Sequence, residues 1–342
     1  MGIKSTMFEY LKLFRLQTGA TTAVAPIIGY LIISYQQQLK IEFYELFVLF
    51  IIGVLMHIFE FVLNEYIDLE VDKRSPDLAE KPLVSGTIAP QASLVVVFTS
   101  LILSYILLII FFFDIGFWSM ILLSLSFGFG AIYDIHGKRF AGSDFTLALW
   151  IFLFCLFGAS IQSIEFTGVL YLVAGLGFFQ ILFNNAIEGG LKDADHDAAA
   201  GAKTLAHTLG ARVQDGKLII PNTFKFSSYS IKLGHISLII LLIYVGAFRI
   251  RELYDIIQLI LIIILIFIIF YTLQRFLSLK DFRRDKLKRI FSIHEIATYY
   301  LAPIILLQII GIFAVLFLLL LPLFWYMGLN LILYGRPLEP RV

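Results

Sequence analysis

Long apolar runs separated by short polar bridges make up most of this chain. Runs at roughly 18–35, 43–63, 91–113, 116–134, 144–162, 167–187, 228–248, 254–275 and 296–321 are each about long enough to cross a bilayer as a helix. A shorter apolar stretch, 323–334, follows Pro322 and reads as a tail helix. Continuous Leu, Ile and Phe favour helices over the alternating pattern of a membrane barrel. The expected fold class is therefore all-α: a polytopic membrane protein of about nine transmembrane helices around a central cavity. Residues 1–342 are expected to form a single transmembrane domain, with an apolar tail at about 323–342. One segment breaks the pattern. Within 211–226, Asp215-Gly216 between short apolar runs predicts a hairpin turn.

Composition agrees. Hydrophobic residues make up 60% of the 342, charged residues 15%, and mean hydropathy is +0.91. A soluble domain of this length cannot hide so much apolar surface. A net charge of +1 gives no case for a nucleic-acid partner. The single Cys155 excludes a disulfide within the chain and a cysteine metal cluster, and reads as lipid-facing or core packing. Residues 1–16 are mixed and amphipathic, without a cleavable signal pattern.

Charge bias sets the orientation. With the N-terminus inside and nine spans threaded, 21 of the 26 Lys and Arg fall on the inner side. Lys40, Arg249, Arg251, Arg336 and Arg341 stay outside. This is the positive-inside signature, and it predicts an integral multi-pass protein of the plasma membrane. The same threading puts two acidic clusters on the cytoplasmic face, although the clusters played no part in it.

The first cluster is Asn64, Asp68 and Asp72; the second is Asp193, Asp195 and Asp197. Carboxylates beside bilayer-length apolar segments are expensive and read as functional. Asn64, Asp68 and Asp72 are spaced i, i+4, i+8, one helical stripe roughly 12 Å long. Asp193 and Asp197 repeat the spacing, and counting back by four passes Gly189 and reaches Asn185. Two such stripes facing each other would hold about two or three Mg²⁺ ions, which prefer oxygen ligands and share them with substrate phosphates. Asp68, Asp72, Asp193 and Asp197 are the expected catalytic carboxylates, with Asn64 as a further ligand. Asn185, Glu188 and Asp195 are additional candidates. Lys73, Arg74, Lys81, Lys138, Arg139, Lys192 and Lys203 flank the clusters, suited to neutralising a diphosphate.

These residues carry a resemblance to the UbiA superfamily of intramembrane prenyltransferases. Asn64-x3-Asp68-x3-Asp72 followed by Lys81-Pro82-Leu83-Val84-Ser85-Gly86 is similar to the family's N-D-x-x-D-x-x-x-D and R-P-L-x-S-G. Asp193-x3-Asp197-x3-Gly201-x-Lys203-Thr204-Leu205 resembles its second aspartate motif, and Tyr133 through Arg139 its Y-S/D-x-x-x-K-R loop. The chain departs at Glu65, where Asp is usual, and at Gly189, where many members carry Asp. Segment 211–226 is longer than usual, either a lid piece or a surface insertion.

The resemblance implies Mg²⁺-dependent transfer of a prenyl group from an allylic isoprenyl diphosphate. The acceptor would be lipid-like, such as geranylgeranylglyceryl phosphate, or an aromatic quinone precursor. Phe61, Tyr66, Tyr133, Phe178, Phe179 and Phe183 are candidates to shelter the developing allylic cation. His136, His196 and His207 lie near the motifs, and His57 lies within the second span, to line the cavity or bond between helices. The basic run KDFRRDKLKRIF reads as cytoplasmic anchoring and anionic-lipid contact. The rival reading is a transporter of divalent cations or phosphorylated metabolites, which would usually place its acids nearer the midplane.

Overall fold

The structure is a computed structural model that describes residues 3–73, 78–113 and 116–338. Its helices are α1 (Ile3–Leu13), α2 (Gly19–Gln36), α3 (Phe43–Ile67), α4 (Leu69–Asp72), α5 (Pro90–Phe111), α6 (Phe117–His136), α7 (Ser143–Ser160) and α8 (Gly168–Phe183). A π-helical turn, Asn184–Gly189, leads into α9 (Gly190–Lys192), α10 (Ala194–Ala200) and α11 (Leu205–Thr208). After strands β1 (Arg212–Gln214) and β2 (Lys217–Ile219) come α12 (Asn222–Tyr244), α13 (Leu253–Leu277), α14 (Arg284–Ile305) and α15 (Leu307–Tyr334).

Among the described residues nine helices are long and apolar enough to cross a membrane, as the apolar runs predict. Eight fall on the expected runs. The ninth is redrawn: residues 296–305 belong to α14, and the apolar span is Leu307–Tyr334. The expected tail 323–334 is simply its second half. The break falls at Leu306 and at Gly311, whose φ of 74° is non-helical, while Pro322 is carried inside the helix. Proline is the usual place to look for a break, and here it does not mark one.

Two compact units make up the chain. One takes the described residues of 1–135, 153–166 and 320–342, the other those of 136–152 and 167–319. In the first unit α3 packs on α2 and α5. Polar groups tie its helices where water cannot. His57 Nε2 donates to the Arg15 carbonyl oxygen at 3.1 Å, so Nδ1 is left to accept from the Thr22 hydroxyl at 3.0 Å. His57 thus bonds between helices. Trp325 Nε1 donates to the Leu16 carbonyl oxygen at 2.7 Å. Cys155 is buried core packing. Phe59 meets Phe127 edge-on at 4.8 Å, and Asn64 meets Asp134 at 3.3 Å. Residue numbers climb together along both helices, so α3 and α6 run in the same direction.

In the second unit α8 packs on α12, and α14 runs antiparallel along α13. Phe276 meets Phe291, Thr272 bonds His294 at 2.8 Å, and Gln258 donates to the Ile304 carbonyl oxygen at 2.7 Å. The predicted hairpin is present. Asp215 (φ 50°) and Gly216 (φ 71°) are both left-handed, the conformation a two-residue type I′ turn requires. The hairpin is not a free surface insertion. Leu218 N donates to the Lys280 carbonyl oxygen at 2.8 Å, and Phe282 N to that of Gly216 at 2.9 Å. Leu218 is buried in one apolar cluster with Phe183, Phe276 and Leu287.

Candidate active site

The first motif sits at the end of the second span. Asn64 is on α3, Asp68 is its C-cap, and Asp72 ends α4. The break between the two helices is slight, because Asp68 N still bonds the Asn64 carbonyl (2.9 Å) and Asp72 N that of Asp68 (2.8 Å). The expected single stripe therefore holds. Its charges are matched by residues from elsewhere in the chain. Lys81 Nζ lies 2.7 Å from Asp72 Oδ2 and 3.0 Å from Glu65 Oε1. Arg15 Nη2 lies 2.6 Å from Glu65 Oε1, and its guanidinium stands 5.3 Å from the Phe61 ring centre. Glu65 is thus the shared anion of two cations, and both it and Asp72 are buried. Lys73 instead pairs with Glu70 at 2.6 Å on the exposed side. Arg74 lies outside the described residues.

The second motif has a different backbone. The π turn Asn184–Gly189 precedes it, and π turns inside helices recur at functional sites. Counting back by four residues assumes an unbroken α-helix, so it does not locate Asn185. That amide donates to Asp144 Oδ1 on α7 at 2.6 Å. Glu188 is buried on the π turn. Lys232 sits inside α12, with its ammonium 3.9 Å from the Phe183 ring centre. Asp193 lies between α9 and α10, and the Asp197 N–H still reaches its carbonyl at 2.8 Å. The i, i+4 pair therefore stays on one face. The Asp193 side chain is 44% exposed, with Lys192 Nζ 3.9 Å away, while Asp197 is buried.

Asp195 points elsewhere. Arg284 Nη2 contacts both its oxygens, at 2.7 and 2.9 Å, and Arg284 Nε donates to the Lys192 carbonyl oxygen at 3.2 Å. His196 Nε2 lies 3.2 Å from the same guanidinium. Lys203 N bonds the Lys138 carbonyl oxygen at 2.9 Å, which joins the second motif to the loop that carries Lys138 and exposed Arg139. Lys288 is held below the usual lysine range, first by burial, then by the Lys192 and Arg284 cations; Asp193 and Asp285 oppose this. The basic run at 280–291 is therefore more than an anchor, since it braces the second motif. Among the described residues no three His, Cys, Asp or Glu side chains already converge on one point.

The model of the UbiA prenyltransferase family matches residues 23–254, more than half of the chain and both motifs. The chain belongs to this family. Solved UbiA-type structures share the fold. A homologue from Archaeoglobus fulgidus bound to DMAPP and Mg²⁺ is 18% identical, with a TM-score of 0.61 over 87% of this chain and 99% of that one. An apo homologue from Aeropyrum pernix K1 is 14% identical, with a TM-score of 0.61 over 91% and 98%. A digeranylgeranylglyceryl phosphate synthase is 20% identical, with a TM-score of 0.60 over 87% and 99%. No curated protein matches the chain. As a UbiA-family prenyltransferase the chain is an enzyme embedded in the membrane, and its multi-pass helices are the scaffold for that chemistry.

Proposed function

We propose that this enzyme transfers a prenyl group from an allylic isoprenyl diphosphate to a lipid-like acceptor of the geranylgeranylglyceryl phosphate type, or to an aromatic quinone precursor. The observation that carries this reading is that cationic side chains accompany each carboxylate stripe, Lys81 at Asp72 in the first and Lys192 beside Asp193 in the second. The donor set fits Mg²⁺: Asn64, Asp68, Asp72, Asp193 and Asp197 offer only hard oxygens, and Mg²⁺ binds through one or two carboxylates plus water and phosphate oxygens. Bound there, Mg²⁺ would supply Lewis-acid stabilisation of the diphosphate's charge.

The chain's own residues do the rest. Lys81, Lys138, Arg139, Lys192 and Lys203 bear on the negative charge that grows as the carbon–oxygen bond breaks. Asp195, held by Arg284, fixes the helix that carries Asp193 and Asp197. Aromatic faces near the motifs, such as Tyr66 and Tyr133, shelter the allylic cation until the acceptor's nucleophilic atom captures it. Phe183 takes no part in this, because its face already carries Lys232. The reading further places the active site on the cytoplasmic face of the plasma membrane. That the structural relatives include a digeranylgeranylglyceryl phosphate synthase and a UbiA homologue bound to DMAPP and Mg²⁺ supports the substrate class.

The test is direct. Purified protein is incubated with Mg²⁺ and radiolabelled geranylgeranyl diphosphate, with geranylgeranylglyceryl phosphate or 4-hydroxybenzoate in separate tubes. Product with one acceptor, lost on adding EDTA, is expected. Folded protein that neither forms product nor binds the diphosphate would overturn the reading.

A further inference from the structure

Two carboxyl groups in the first unit have no role in the reaction above. Glu60 lies on α3 one turn before Asn64, so it extends the stripe inward: Glu60, Asn64, Asp68 and Asp72 are spaced by four throughout. Asp134 lies near the end of α6. Both are almost sealed, at 4% and 6% exposure. Neither Glu60 oxygen has a hydrogen-bond partner, nor has Asp134 Oδ2. Asp134 Oδ1 accepts from Asn64 Nδ2 at 3.3 Å, which places it one turn of α3 from Glu60.

The backbone is shaped around them. Gly130 stands one turn before Asp134 on α6, and a Cβ there would overlap the Glu60 carboxylate. Only glycine leaves that space. The result is two buried acids on neighbouring helices, Glu60 packed against the Gly130 backbone one turn from Asp134, with no Lys, Arg or His paired to either acid among the described residues. Burying carboxylates without a counter-charge is strongly unfavourable. What the site lacks is positive charge.

We propose that Glu60, Asp134 and the Asn64 amide oxygen bind a divalent cation one helical turn deeper than the aspartate motif. Oxygen-only donors with two carboxylates select a hard ion of the Mg²⁺ or Mn²⁺ kind over softer metals. Water completes the coordination. Asn64 links the two levels: its amide N–H₂ holds Asp134, and its oxygen is shared with the stripe above. The proposal concerns ion binding without substrate and stands apart from the choice of acceptor.

The probe is Mn²⁺ alone, titrated into the purified full-length protein in detergent and followed by the electron paramagnetic resonance of free Mn²⁺. Glu60→Gln and Asp134→Asn are each compared with the parent, and Asp193→Asn serves as a loss at a different place. Each of the first two is expected to bind one Mn²⁺ fewer than the parent. Combining Glu60→Gln with Asp193→Asn should remove a further ion. Unchanged stoichiometry in a folded Glu60→Gln protein would overturn the proposal and leave two acids sharing a proton. A parent that binds no Mn²⁺ without diphosphate would overturn it equally. Should Glu60→Gln not fold, Asp134→Asn carries the same test.

Discussion

The two aspartate motifs share one sequence pattern and sit in two different frames. In the first, an almost unbroken helix carries the stripe, and the acids are already matched: Lys81 reaches Asp72 and Glu65, and Arg15 reaches Glu65. In the second, a π turn and a short break at Asp193 interrupt the helix, Asp193 is open, and the fixed residue is the off-stripe Asp195, gripped by Arg284. Identical spacing does not mean identical preorganisation. The first motif holds its charges in register through side-chain pairs beside the stripe. The second relies on a brace from a distant helix to hold the backbone that presents them.

The hardest way to break this comparison is to remove a carboxylate from either side. Asp68→Asn and Asp193→Asn are each expected to lower prenyl transfer at least about a hundredfold, the scale on which electrostatic stabilisation of a reacting group is lost. If only one of them did so, the motifs would not be partners in one reaction.

Lys81→Met comes next. It strands buried Asp72 and leaves Glu65 to Arg15 alone, at about 1–3 kcal/mol for a group left unpaired, so a lower melting temperature should accompany lost activity. Lys73→Met, whose partner Glu70 is exposed, should leave the melting temperature within error. Equal effects of the two would mean that the buried pairing carries no special weight.

Arg284→Ala tests the brace. It should raise KM for the diphosphate several-fold while changing kcat less, because Asp193 and Asp197 remain but their helix is looser. Arg284→Lys should rescue little, since one ammonium cannot reach Asp195 and the Lys192 carbonyl together. An unchanged KM in Arg284→Ala would reduce the brace to packing.

The smallest effect belongs to Lys288. Its folded value lies below the ordinary lysine value, so charged Lys288 costs stability. The cost is full below the folded value and fades as pH rises through it toward the unfolded value near 10.4. Lys288→Met should therefore raise the melting temperature near pH 7 by roughly a degree or two, discounted because the side chain is only half-buried. The gain should vanish toward about pH 10.4. A loss at neutral pH would show that the attraction of Asp193 and Asp285 outweighs burial.

The apolar runs and the fourfold acid spacing carried most of the fold and both motifs, because hydropathy and helical period are local properties. Glu60 was equally legible, since one more step of four back from Asn64 reaches it. Its apolar neighbours hid it. Asp134 lay in plain view inside a motif valued for its Tyr and its cations. Arg15 and Arg284 were not legible as site residues, because nothing near them in sequence points to Glu65 or Asp195. The π turn has no sequence period of its own, so Asn185 could not be placed by counting. The ninth span was misdrawn because Pro322 looks like a stop, whereas Gly311 makes the kink.

The hairpin at 212–219 has a consequence for how the protein is made. Its β2 strand bonds the 280–282 segment, and Arg284 meets Asp195 across 89 positions of sequence. A ribosome delivers the second motif well before the brace. Two further membrane helices, α12 and α13, must be inserted in between. Until they are in place, a nascent chain holds every aspartate of both motifs but not the contact that steadies the second. The steadying of the second motif is thereby tied to the insertion of α12 and α13, and a partly inserted chain lacks that brace.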